Sequence, residues 1–322
     1  MGSQVVALGK YLVPDMRSRG IPATAAVALI LLLSGCAAGG DSGSNATPSD
    51  TSPISYATGP TDLVLQVSSG GGLLPQSLLY AEMPDVSIYG DGRVIRLGSQ
   101  GYGPQDPLLP ELIETRVTAD GIARILGAAR DAGLLGPDRR YDLPGAYDLG
   151  TVGFVVTASG TTHSVSAFGL GFSGEEQLAP PGEMATRRNL SALFSKLLNL
   201  RTWLPAEAVG PDSAYQPGGI RVFLTRLVDW SIPVGSATHA PATPGAGQEV
   251  RDWPIADLLP ESFGKAVDKS GQWYCAIVRA DEAALFGLGT ATWDTRWRAA
   301  GNLYQIVTAP LLPHESACPT GA

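Results

Sequence analysis

A short, mostly apolar run over residues 62–67 predicts a strand, followed by the Gly-rich break from Ser68 to Gly72. Apolar and polar positions alternate over residues 85–97, on both sides of Asp91-Gly92, a dipeptide suited to the positive dihedrals of a type I′ hairpin. That turn sets Tyr89 opposite Val94, Ile88 opposite Ile95 and Val86 opposite Leu97, with the apolar pairs on one face. From Thr118 the spacing becomes helical. Ile122, Ile125, Leu126 and Ala129 share a face, with Thr118 as cap and Gly133 as stop. A second hairpin, 151–158 with 161–168 around Ser159-Gly160, places His163 opposite Val156. A second helix over about 183–200 carries Leu190, Leu193, Phe194, Leu197 and Leu198 on one face and Arg187, Arg188 and Lys196 on the other.

Hairpin then helix, twice over, predicts an α+β fold: antiparallel sheets with helices packed on one face. The Pro/Gly/Ala stretch from Pro205 to Gly219 is the expected boundary between two consecutive domains, 61–204 and 205–322. Beyond it the chain is rich in tryptophan (Trp230, Trp253, Trp273, Trp293, Trp297). Strands are expected at 220–228, 272–279 and 302–308, a short helix at 281–288, and a long Pro/Thr/Gly loop at 231–248.

The first 60 residues follow another pattern. Arg17 and Arg19 precede an apolar run from Ile21 to Leu33 that ends in Leu33-Ser34-Gly35-Cys36. The run is shorter than the roughly 20 residues needed to span a bilayer. A basic start, an apolar centre and small residues at the end specify a signal peptide over 1–35, and Met16 makes a better initiator than Met1. Residues 36–60 hold few large apolar side chains, so this linker is expected to be a flexible tether. Gly40-Asp41-Ser42-Gly43 copies a serine-protease nucleophile box, but within that tether it is a coincidence of composition.

Composition bounds the rest. With 322 residues, 44% hydrophobic and 16% charged, there is ample chain for a core. A net charge of −8 argues against nucleic-acid binding, which needs a basic surface. Of the three cysteines, Cys275 and Cys318 are expected to form a disulfide in an oxidising compartment. His163, His239 and His314 are far apart in sequence, so no metal or cofactor is expected. Ser262 and Lys265 have the Ser-x-x-Lys spacing of penicillin-binding enzymes but lack the companion motifs. The acidic neighbours Glu175-Glu176 and Asp281-Glu282 are expected in solvated or helix-capping roles. One constellation suggests binding: Trp293 and Trp297, with Asp294 and Arg296 between them, join two stacking surfaces to hydrogen-bonding groups suited to a glycan.

The Leu33-Ser34-Gly35-Cys36 string resembles the lipobox of bacterial lipoproteins. The strings Ser87-Ile-Tyr-Gly-Asp-Gly-Arg-Val-Ile95 and Ala309-Pro-Leu-Leu-Pro-His-Glu-Ser-Ala-Cys318 are similar to those of uncharacterised lipoproteins of high-GC Gram-positive bacteria. The resemblance implies diacylglycerol on Cys36, attachment to the extracytoplasmic face of the cell membrane, and no particular activity. The expected function is a non-enzymatic binding or interaction module, with cell-wall glycan or another envelope protein as partner. The rivals are an envelope hydrolase with two loop carboxylates in one pocket, and an accessory subunit of an export or transport system.

Overall fold

The computed structural model describes residues 53–228, 242–255 and 258–319. The leader, Cys36, most of the tether, Trp230, His239 and much of the 231–248 loop lie outside the described residues. One sheet has eight strands: β1 (Leu63–Gly70), β2 (Val86–Tyr89), β3 (Arg93–Leu97), β4 (Leu112–Arg116), β5 (Arg139–Tyr141), β6 (Thr151–Ala158), β7 (Thr161–Phe168) and β8 (Ser213–Ala214), in spatial order β5-β7-β6-β1-β2-β3-β4-β8. The other has six: β9 (Ile220–Leu227), β10 (Val250–Asp252), β11 (Lys265–Ala266), β12 (Trp273–Val278), β13 (Arg296–Ala299) and β14 (Asn302–Pro310), in order β10-β13-β14-β9-β12-β11. Among the described residues, only β5 with β7 and β10 with β13 run parallel. The helices are α1 (Gln76–Ala81), α2 (Ala119–Asp131), α3 (Glu175–Leu178), α4 (Met184–Leu198), α5 (Leu200–Trp203) and α6 (Ala280–Leu285). The class is α+β.

The apolar stripes of α2 and α4 cover one face of the eight-stranded sheet. Ile122, Ile125, Leu126, Leu190, Leu193 and Leu197 form one core with Val86, Ile88 and Val94. Thr118 caps α2 by accepting the Gly121 amide, and Gly133 ends it at φ +84°. The opposite face of β2 and β3 is buried too. Tyr89 and Ile95 join Ala81, Met83, Leu108 and the strands of the second sheet in another core. The 205 boundary therefore separates the sheets in sequence but not the side chains that pack between them, and β8, inside the 205–219 stretch, pairs with β4.

Two local expectations need correction. The first hairpin pairs Ile88 with Val94, Ser87 with Ile95 and Val86 with Arg96, one residue away from the predicted register. A type I′ turn needs positive φ at both central residues, and here Gly92 has φ +88° while Asp91 does not. The Gly92 amide closes the turn on the Tyr89 carbonyl, which makes a three-residue loop with a glycine bulge. By contrast, Ser159 and Gly160 both have positive φ, and β6 and β7 pair as expected, His163 opposite Val156. The second correction concerns the polar face assigned to α4. Arg187 is 0% exposed and points into the core, while Leu198, on the predicted apolar face, is exposed.

Cys275 of β12 is joined to Cys318 by a disulfide, with a sequence separation of 43 residues. In the chain-entropy model such a loop contributes about 4 kcal/mol to stability.

Candidate functional site

The constellation proposed for glycan stacking is interior. Trp297 is 0% and Trp293 7% exposed, so neither presents an indole face to a ligand. Their neighbours hold the loop in place. Asp294 accepts from Gln248 Nε2 at 2.7 Å, and Arg296 donates to the Trp293 and Thr295 carbonyls at 2.9 Å each. Burial lowers the Arg296 pKa, opposed by Asp294. Burial removes the two indoles as stacking surfaces, and the rings instead fill the space around the second sheet.

Other singled-out residues fall in separate places. His314 Nδ1 lies 3.0 Å from the Tyr89 hydroxyl, and burial lowers the His314 pKa. His163 sits half-buried on β7. Among the described residues no group of three His, Cys, Asp or Glu side chains converges as a metal site. Asp281 and Glu282 occupy the first turn of α6, where Glu282 accepts the Arg279 amide. Glu176 is solvated and pairs with Arg188, whereas Glu175 is buried against Arg187, contrary to the expected solvated role.

Three cavities differ in what their walls leave unpaired. One of about 190 Å³ contains Arg96, Arg201 and Asp212, and the carboxylate bridges the two cations: Asp212 accepts from both guanidiniums and its carboxyl is held low, chiefly by Arg201. A larger one, about 580 Å³, includes Arg226, Glu261 and Val228, next to which the described residues end. There Glu261 accepts from the Tyr304 hydroxyl at 2.6 Å.

The third cavity, about 180 Å³, is the most distinctive. It forms where α1, docked on the second sheet, meets the end of β1. Tyr80 anchors α1 by stacking on Phe223 at 4.7 Å and tilting against Trp273 at 5.2 Å. Leu74, Leu78 and Leu97 supply an apolar wall, and Tyr102 stands at the mouth, its ring held edge-on by Trp293 at 5.4 Å. Glu82 and Asp85 line the same cavity. Glu82 Oε1 accepts the Gly71 amide at 2.8 Å, an approach that needs Gly70, where a Cβ would lie 2.5 Å from that oxygen. Asp85 Oδ2 is buried without a hydrogen-bond partner. Burial pushes the Asp85 carboxyl above its ordinary value, partly opposed by hydrogen bonds from Ser69. The Tyr102 phenol is raised by burial first, then by the charges of Glu82 and Asp85. Neither carboxylate is in an ion pair with a described residue.

Glu82, Asp85 and Tyr102 were not singled out in the sequence. The available signal was the Gly70-Gly71-Gly72 run, followed by Leu-rich residues and two acids flanking Met83-Pro84.

The fold and site thus define an α+β protein of two packed sheets with an acidic, apolar-walled cleft between β1 and α1. No protein-family model, curated protein or solved structure matches the chain.

Proposed function

We propose that this chain is exported, acylated at Cys36 and held at the outer face of the cell membrane, where its body acts as a binding or interaction module. The observation that carries the reading is the Cys275–Cys318 disulfide. It suits an oxidising compartment, and it leaves Cys36, at the end of the lipobox-like string, as the remaining one of three cysteines. Two acyl chains give durable attachment, since each buried methylene contributes about 0.8 kcal/mol. The tether is shorter than the linker expected over 36–60, because Ile54 and Tyr56 pack on the first core and the Ser55 carbonyl accepts the Ser159 amide; residues 36–52 are left to stand the body off the headgroups. With Trp293 and Trp297 in the core, a glycan partner loses its stacking surface, and the binding role passes to the Glu82–Asp85 cleft.

A second reading, an envelope hydrolase, is favoured by two carboxylates lining one cavity. Its weakness is size, because about 180 Å³ accommodates little more than one ring.

Metabolic labelling with an alkyne-bearing palmitate in an actinobacterial host tests the anchor. Label in the membrane fraction that disappears in Cys36→Ala is the expected result. An unlabelled full-length chain in the cytosol contradicts it.

A further inference from the structure

We infer that the end of the eight-stranded sheet at which this cleft opens is a docking surface for another protein, engaged through a segment whose apolar side chains are flanked by Lys or Arg. This rests on the reading of the body as an interaction module and names the chemistry of its partner.

Five loops meet at that end: 70–75 after β1, 82–85 before β2, 98–111 between β3 and β4, 142–150 before β6 and 169–174 after β7. They leave large apolar side chains in solvent. Leu73 is 83% and Tyr147 81% exposed, more than any other large apolar side chain among the described residues, and Leu74, Tyr102 and Phe172 are exposed as well. The loops that carry them adjoin. A Cβ on Gly72 would lie 3.0 Å from the Asp148 carbonyl oxygen, and one on Gly169 would lie 2.8 Å from Leu149 Cδ1. Leu74 and Tyr102 share the wall of the cleft. Exposed apolar side chains scattered singly need no explanation, whereas a group of them on neighbouring loops marks an interaction site.

Charge selects the partner. The same five loops contain Glu82, Asp85, Asp106, Glu111, Asp142 and Asp148, and no Lys, Arg or His. Of these six acids only Asp142 has an ion-pair partner among the described residues, Arg140. Basic side chains beside the apolar ones of a partner complement this field, while a second copy of the chain would set like charges against each other. Anionic headgroups are repelled for the same reason. The attachment point also lies elsewhere. The chain leading from Cys36 joins the body where the Ser55 carbonyl accepts the Ser159 amide, at the opposite end of β6, whose eight residues set the two ends roughly 25 Å apart.

The test is fluorescence anisotropy with labelled peptides of equal length, one of Leu and Lys, one of Leu and Glu and one of Ser and Lys, titrated with the full chain carrying Cys36→Ala. The Leu/Lys peptide is expected to bind at least tenfold more tightly than either of the others. Leu73→Ser and Tyr147→Ser, both at strongly exposed positions, are each expected to weaken it fivefold or more, and Asp148→Asn about threefold. Leu285→Ser, 66% exposed on α6, should leave it unchanged. A Leu/Lys peptide that binds no better than the others, unchanged binding in Leu73→Ser and Tyr147→Ser, or an equal loss in Leu285→Ser overturns the inference. So does binding to phosphatidylglycerol vesicles, or self-association in sedimentation, that Leu73→Ser removes. Because Cys36→Ala lacks the acyl site, the anchor is read separately: a chain labelled with palmitate whose body ignores the peptide overturns the docking surface alone, and a body that binds the peptide in a chain never labelled overturns the anchor alone.

Discussion

Arg187 on α4 and Glu175 on α3 form an ion pair sealed from solvent, with side chains 0% and 10% exposed. The guanidinium also donates to the Phe168 and Tyr141 carbonyls, and Glu175 accepts the Gly171 amide at 3.0 Å. One arginine thus ties α4 to the ends of β5 and β7 and to the turn after β7.

Removing one partner of such a pair strands the other charge in the core. Arg187→Met is expected to cost about 3–5 kcal/mol, and Arg187→Met with Glu175→Leu less than the sum of the single changes. Urea unfolding of the two single variants and the double variant measures this. Additive losses would mean that the two side chains act independently.

Gly92 is placed by the hairpin geometry. Its φ is +88°, and a Cβ there would lie 2.5 Å from the Val117 carbonyl oxygen. Gly92→Ala is expected to destabilise by about 1–3 kcal/mol, whereas a type I′ turn centred on Asp91-Gly92 would not by itself predict the clash. A thermal melt unchanged by the substitution would show that the loop relaxes freely.

The Tyr89–His314 contact gives the fold a pH dependence. His314 is lowered by burial first; Glu315 opposes this and Arg221 adds to it. Tyr89, bonded to His314, is raised well above an ordinary phenol by its own burial and stays neutral. A histidine with a depressed folded pKa binds fewer protons folded than unfolded, so its share of stability is fully present above about pH 6.5 and declines as pH falls through the window below it. His314→Asn should therefore flatten the loss of stability between pH 7.5 and 5.5, as read by urea midpoints. The same slope in both proteins would assign that dependence to other groups.

Much of this fold was legible in the sequence because period and turn chemistry agreed. The cap at Thr118, the stripe from Ile122 to Ala129 and the Ser159-Gly160 hairpin each depended on neighbours a few residues away. The failures came where burial is set by distant parts of the chain. At β2 and β3 both faces are covered, so Ile88 and Tyr89 are buried together on opposite sides and alternation loses its power to fix register. Arg187 stands three residues before Leu190 and ten before Leu197, on the apolar face of α4, but its charge argued for solvent until Glu175 was seen beside it. The cleft was hidden for the same reason. Glu82 and Asp85 meet β1 only because Tyr80 docks α1 on Phe223 and Trp273, more than a hundred residues later.

Intact mass spectrometry of the protein extracted from its native membrane tests the proposed lipid anchor most directly. The account predicts a chain beginning at Cys36 with a diacylglyceryl adduct on that residue. A chain that retains residues preceding Cys36, or begins elsewhere without lipid, would contradict it.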